Sequence, residues 1–194
     1  NPSLILKNID DLEGIFITHA HEDHLGAIGF VSSKLKCKIY CREFTASIVK
    51  DKLDRVNVDH ARVVIVKGWP YEVNLKFAKI SFFPAVHSVP EASFLIIKTE
   101  IGNIVHTGDF KLDETPILEN PLNTNLLMKA LEGPPFLCVS DSTNALNYDK
   151  GKSETTLLKP IETLIKSCEG RVVFTTFASN LARLKSIAKA GEML

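Results

Sequence analysis

Six residues, His19-Ala20-His21-Glu22-Asp23-His24, put four potential metal ligands directly after the apolar run Gly14-Ile15-Phe16-Ile17-Thr18. The run is short, β-branched and aromatic, which predicts a buried strand. Residues two apart at a strand end point the same way, so His19 and His21 can converge on one ion. The chain then turns, and a helical pattern begins at Asp23-His24-Leu25-Gly26-Ala27-Ile28. Asp23 and His24 can therefore reach a second ion from the turn. Imidazole and carboxylate donors suit Zn²⁺, with Mn²⁺ where oxygen ligands dominate. A lone His-x-His pair usually means nothing, but a polar loop between strand and helix does not need four donors packed this closely.

A chain of 194 residues, 45% hydrophobic and 24% charged, can bury a sizeable core as one large domain, or as one domain plus part of another. Its 23 basic and 23 acidic residues cancel, so global charge advertises no nucleic-acid partner. Bound divalent cations would add positive charge that this sum omits. Lys34, Lys36, Lys38, Lys50, Lys52 and Arg55 are interleaved with acids along strand and helix, the pattern of solvated faces. Cys37, Cys41, Cys138 and Cys168 lack the Cys-x-x-Cys spacing of a zinc knuckle and read as buried thiols in a reducing cytoplasm. No apolar run reaches membrane-spanning length, so no membrane contact is expected.

Strand-like runs recur at 14–18, 37–41, 61–67, 79–86, 92–99, 103–107, 136–140 and 171–177, with helical patterns at 23–35, 42–53, 153–167 and 180–190. Ser153 suits a helix start and Gly170 a stop. The runs between 79 and 107 follow one another without helices, like an antiparallel meander. The coarse expectation is mixed α/β with a largely β centre. Residues 144–152 read as a polar loop.

Two later strand ends have the character of the first. Ile80-Ser81-Phe82-Phe83-Pro84-Ala85-Val86 runs into His87, and Ile104-Val105-His106-Thr107 into Gly108-Asp109. A ligand just past a buried strand is held rigidly while facing a cleft. Alone, His87 would be a satisfied histidine and Asp109 a turn residue; after the first cluster, in this order, both become ligand candidates. Gly108 would let the backbone approach the ions closely. His106 lies inside its run and reads as packed core, and His60 as solvated surface.

His19-x-His21-x-Asp23-His24, then His87, then Asp109 resembles the metal motifs of the metallo-β-lactamase fold in order. Further strings resemble its β-CASP branch, and within that the bacterial ribonuclease J family. They are His21-Glu22-Asp23-His24-Leu25-Gly26-Ala27, His87-Ser88-Val89-Pro90-Glu91, His106-Thr107-Gly108-Asp109-Phe110-Lys111, Ser140-Asp141-Ser142-Thr143-Asn144-Ala145 and Thr175-Thr176-Phe177-Ala178-Ser179-Asn180. The first metal motif is superfamily-wide, whereas the last two strings are far more specific. The likeness runs from about Leu12 to about Ala190.

The resemblance implies an αββα metallo-β-lactamase sandwich over 1–168, incomplete at both its first strands and its C-terminal return. The start of an inserted α/β β-CASP domain would follow over 169–194. It implies two divalent ions, Zn²⁺ foremost: one on His19, His21 and His87, the other on Asp23 and His24, with Asp109 bridging. Asp23, Asp109 and Asp141 form the implied catalytic set, Asp141 orienting a histidine from later in the chain. The implied reaction is hydrolysis of single-stranded RNA, 5′-to-3′ and internally, by a cytoplasmic homo-oligomer. Only 18 residues precede His19, and the family's later histidine motifs are not found, so the chain is expected to be an inactive part of a longer enzyme. Ser179 and Asn180 read chiefly as a helix N-cap, with a backbone-phosphate contact as a second use. Two other readings share the metal motif: a small-molecule hydrolase such as a thioesterase or lactamase relative, and a metal-binding module without turnover.

Overall fold

Alternation along the strands decides the architecture. In β1 (Gly14–Phe16) and β2 (Lys38–Cys41), Ile15, Ile39 and Cys41 face one side, while Phe16 and Tyr40 face the other. With β3 (Val63–Ile65) they form a wholly parallel three-stranded sheet, Ile15 opposite Ile39 and Ile39 opposite Val63. Parallel neighbours need crossovers. These are α1 (Glu22–Leu25) with α2 (Ile28–Ser32), and then α3 (Glu43–Asp54). The computed structural model describes residues 12–147 and 151–193, so 148–150 of the expected polar loop and the first part of the expected 1–168 domain lie outside the described residues.

The second sheet runs β4 (Glu72–Asn74), β5 (Lys79–Pro84), β6 (Ser93–Thr99), β7 (Gly102–His106) and β8 (Leu137–Val139). The first four are antiparallel neighbours, β5 to β7 as the helix-free run from 79 to 107 predicted, and β8 joins β7 in parallel. Period-two alternation again divides its faces. Ile80, Phe82 and Leu95 pack with Phe16, Tyr40 and Val64 between the sheets. Phe83, Phe94, Ile96 and Val105 turn outward beneath Ala130, Leu131, Leu126 and Leu127 of α4 (Thr124–Leu131). On the far side, Leu25, Ile28, Ala46, Val49 and Leu53 cover Ile17, Ile39 and Cys41. The order helix, sheet, sheet, helix is the αββα sandwich. After it come a 3₁₀ turn at Glu154–Leu157, then α5 (Leu158–Lys166) and α6 (Leu181–Glu192), which pack together although residue 168 lies between them.

The structure corrects several sequence expectations. The helix predicted over 23–35 is two short helices that part at Gly26 and Ala27. β4 and α4 carry no counterpart in the predicted elements. The strand predicted over 171–177 does not form; its backbone has no neighbouring strand among the described residues to receive its hydrogen bonds. Cys138 and Cys168 are exposed rather than buried. No helix among the described residues is long and apolar enough to cross a membrane.

Phe82 is fully buried between the sheets, its ring centroid 6.2 Å from that of Phe16. Truncation there opens a cavity that neither sheet can fill. Phe82→Ala is expected to lower unfolding stability by about 3–5 kcal/mol, measured by denaturant titration; a loss below about 1 kcal/mol would contradict this account of the sandwich.

Candidate metal centre

The ligand candidates come from both sheets and meet at one end of the sandwich. The turn after β1 supplies His19 and His21, and α1, not the turn as the sequence suggested, supplies Asp23 and His24; the β5–β6 loop supplies His87; the turn after β7 supplies Asp109. Ser93 N–H donates to the Thr18 carbonyl at 3.1 Å, tying the β6 start to the strand end that carries His19.

Two groups of donors result. His19, His21, His87 and Asp109 form one, and Asp23, His24 and Asp109 the other, with donor atoms in each group within 4.8 Å of one another. Asp109 belongs to both. Its Oδ2 lies 3.9 Å from His19 Nε2 and 3.8 Å from His87 Nε2, while its Oδ1 lies 3.2 Å from His24 Nε2. Asp23 Oδ2 stands 3.4 Å from His24 Nε2 and is the most exposed member.

The geometry fits a cation. His21 Nε2 lies 3.3 Å from the Ser179 carbonyl, which can only accept, so a bond there puts the proton on Nε2 and leaves a lone pair on Nδ1. That Nδ1 is 3.2 Å from His19 Nε2 and 3.0 Å from His87 Nε2. One lone pair cannot serve two N–H donors, whereas one ion can be shared by three nitrogens. Nitrogens bound at about 2.0–2.1 Å to a tetrahedral zinc would stand about 3.3 Å apart, close to these spacings. The outer ring nitrogens are held as metal-binding imidazoles usually are: His19 Nδ1 lies 3.0 Å from Thr18 Oγ1, and His21 Nε2 also lies 3.2 Å from Ser88 Oγ.

Electrostatics keep the His19 and His87 rings neutral and ready to coordinate. Burial, with the neighbouring imidazoles, lowers His19 from 6.5 to about 3. Burial likewise lowers His87 to about 4, partly offset by Asp109 and Asp141.

The Asp109 turn is built by side chains. Gly108 has φ +54°, and a Cβ there would come within 2.8 Å of Thr18 Oγ1, so the close backbone approach read from the sequence is made against Thr18. His106 is half-buried and accepts the Gly108 N–H on Nδ1 at 3.1 Å. Thr107 Oγ1 donates to the Gly108 carbonyl at 2.7 Å and accepts the Asp141 N–H at 2.9 Å. Asp141 Oδ1 accepts from the Thr143 N–H and hydroxyl, and those bonds hold its carboxyl below the usual carboxylate range. Asp141 and Ser140 line an open cavity of about 200 Å³ with His24, His106 and Asp109. Asn180 caps α6 by accepting the Arg183 N–H at 2.9 Å, and Ser179 meets the centre through its carbonyl alone. His60 is half-buried, its Nε2 2.7 Å from Asp54 Oδ1. Thr18, Ser88 and Thr107 are supporting residues that sequence reasoning missed; only their adjacency to ligand candidates could have signalled them.

A β-lactamase superfamily domain model matches residues 1–129. Among curated proteins, ribonuclease J of Helicobacter pylori strain J99 is 35% identical over 185 residues, covering 94% of this chain and 26% of that protein. Ribonuclease J 1 of Streptococcus pyogenes serotype M3 is 35% identical, covering 97% of this chain and 33% of its own length. Ribonuclease J2 of Bacillus subtilis is 28% identical, with 97% and 34% covered. The chain thus spans between about a quarter and a third of the length of these relatives. Among solved structures, a protein of unknown function from Enterococcus faecalis V583 shares the fold with a TM-score of 0.67 and 17% identity, over 94% of this chain and 46% of that one.

The buried imidazoles make stability depend on pH. Histidines of the unfolded chain titrate near 6.5, while native His19 and His87 resist protonation until about 3 and about 4. Acidification therefore loads protons onto the unfolded state first. The metal-free chain should be fully stable above about 6.5 and melt at progressively lower temperature down to about 3. His19→Gln should flatten that slope in thermal melts, and an equally steep slope in the variant would refute the assignment.

Proposed function

The chain belongs to the β-lactamase superfamily, and from that membership we propose that it forms the metal-binding core of an RNA-hydrolysing enzyme of the ribonuclease J type. The observation that carries the reading is the pair of donor groups joined by Asp109. His19, His21 and His87 would hold one ion, and Asp23 with His24 the other, Asp109 belonging to both. Zn²⁺ suits the three-imidazole group best; the carboxylate-richer group would also take Mn²⁺. When bound, such ions supply positive charge that neutralises phosphodiester oxygens and acidifies water.

The chain's own residues do the positioning. Thr18 and the Ser179 carbonyl fix the faces of His19 and His21, and Thr107 holds the Asp109 turn to the Asp141 segment. Asp141, beside the open cavity, would orient a catalytic imidazole and keep a positive charge on it. Ser179 and Asn180, at the start of α6, would meet a backbone phosphate. The similarity to ribonucleases J along nearly all of the chain supports single-stranded RNA as substrate, in a cytoplasmic homo-oligomeric enzyme acting both from the 5′ end and internally, and leaving 5′-phosphates.

The test is an RNA-cleavage assay on the protein expressed with whatever sequence flanks this chain in its reading frame. Cleavage of single-stranded RNA is expected, with His21→Ala and Asp109→Ala each abolishing it. Turnover of a thioester or a lactam, and none of RNA, would overturn the reading. The 194-residue chain alone should cleave far more slowly and retain at most one tightly held ion, on the three histidines, by metal analysis. Two fully retained ions, or full activity, would refute that part.

Asp141→Asn separates two roles. Asparagine keeps the turn's acceptor but loses the charge, so a capping residue would tolerate it. A strong loss of rate at unchanged metal content is expected instead; wild-type kinetics would reduce Asp141 to a turn residue.

A further inference from the structure

We infer that Glu91 is a positioning residue, a clasp that sets where His87 stands relative to the other ligand candidates. The two halves of the donor set belong to different sheets, so something must register the loop carrying His87 against the frame carrying His19, His21, Asp23 and His24. That loop is an excursion from the β5–β6 hairpin, closed at its base by Ala85 N–H to the Ala92 carbonyl at 2.8 Å. Glu91 lies at its returning end with φ +59°, a left-handed backbone that favours glycine. The surrounding bonds must hold it there against its own backbone preference.

The Glu91 carboxylate crosses to the other sheet's helix. Oε2 accepts the Phe44 N–H at 2.6 Å, and Oε1 accepts from Arg42 Nη2 at 3.2 Å. Arg42 is the N-cap of α3 and makes no side-chain cap of its own, so the free N–H at that helix start is met from across the molecule. Both side chains are largely shielded, at 20% and 24% exposure, where a charge-assisted bond is screened less than at the surface. Gly68 leaves room for the guanidinium: a Cβ there would lie 2.3 Å from Arg42 Nη1. The Glu91 backbone is pinned as well, its N–H donating to Glu119 Oε1 at 3.1 Å and its carbonyl accepting from Ser93 Oγ at 3.0 Å. Helix α3 in turn packs Ala46, Val49 and Leu53 against Ile17 and Leu25, which flank the histidine cluster in sequence. The carboxylate therefore ties the His87 loop to the body that carries the other histidines.

The proposal rests on His87 being a ligand, so the experiment reads His87 with and without metal. Long-range ¹H–¹⁵N spectra of the histidine rings, thermal melts and zinc competition are compared for wild type, Glu91→Gly, Glu91→Gln and Val49→Ala. Glu91→Gly relieves the backbone yet should shift the His87 ring signals in the metal-free chain and weaken zinc binding roughly tenfold. Glu91→Gln keeps an acceptor for the Phe44 N–H and should change both readouts by less; it decides alone if the glycine variant does not fold. Val49→Ala, a cavity in the same helix, should lower the melting temperature and leave the His87 signals in place. Unchanged His87 signals and zinc affinity in the Glu91 variants would overturn the clasp, as would equal shifts in Val49→Ala. Wild-type chain that binds no zinc would remove the metal reading alone, since the metal-free His87 signals still decide the clasp.

Discussion

The contact between the two sheets is the constraint on which the candidate centre depends. The three-stranded sheet brings three histidines and an aspartate, and the five-stranded sheet brings His87 and Asp109. A shift of one sheet over the other by a single ångström would separate the donors. Phe16, Tyr40 and Val64 interlock with Ile80, Phe82 and Leu95 to prevent it. Fully burying one such side chain contributes about 1.5–3 kcal/mol, but apolar packing is non-directional and fixes separation better than register. Directional bonds from the returning end of the loop add the register: Ser93 N–H to the Thr18 carbonyl, and the Glu91 carboxylate to α3.

The centre also reaches beyond the sandwich. The Ser179 carbonyl touches His21, and the Ala182 N–H donates to the Ser88 carbonyl at 3.1 Å. The start of α6 therefore contacts two of the ligand-bearing segments, those of His21 and His87. Arg183, one residue later, donates to Glu154, whose backbone N–H in turn donates to Asp113 Oδ2 at 3.3 Å. Displacement of α6 would act on the His21 tautomer and on the His87 loop together, so the ordering of this segment and of the ligands is coupled by contact.

The ligand candidates were legible because chemistry and periodicity coincide at them: each sits just past a run with strand character, and strand ends converge at one end of a sandwich. The meander was legible for the same reason, since period-two alternation and missing helical spacing leave one solution. α4 was legible in principle. Asn123 accepts the Leu126 N–H at 2.9 Å, and Leu126, Leu127, Ala130 and Leu131 form one apolar face. The break at Gly26 was harder, because Leu25 and Ile28 are both buried and keep the helical spacing across it. The 171–177 stretch has strand composition, but composition cannot supply a pairing partner. Thr18, Thr107 and Glu91 were out of reach for another reason: their roles are hydrogen bonds to residues brought close only by the fold, and a threonine beside a ligand looks like any other.

A balanced formal charge is compatible with the proposed anionic substrate. The chain's formal charge is zero, and some of its lysines pair locally, Lys52 with Glu22 and Lys98 with Glu72 and Glu132. The donor groups contain two carboxylates, Asp23 and Asp109, beside their imidazoles. Two divalent ions held there would exceed the charge of those carboxylates and leave the centre net positive. Such a centre, bordered by an open cavity and set in an otherwise balanced surface, focuses an anionic substrate at one place instead of over a basic face. An RNA-hydrolysing reading therefore needs no basic patch from the sequence, provided that the ions are held, and the depressed basicity of His19 and His87 favours holding them at neutral pH.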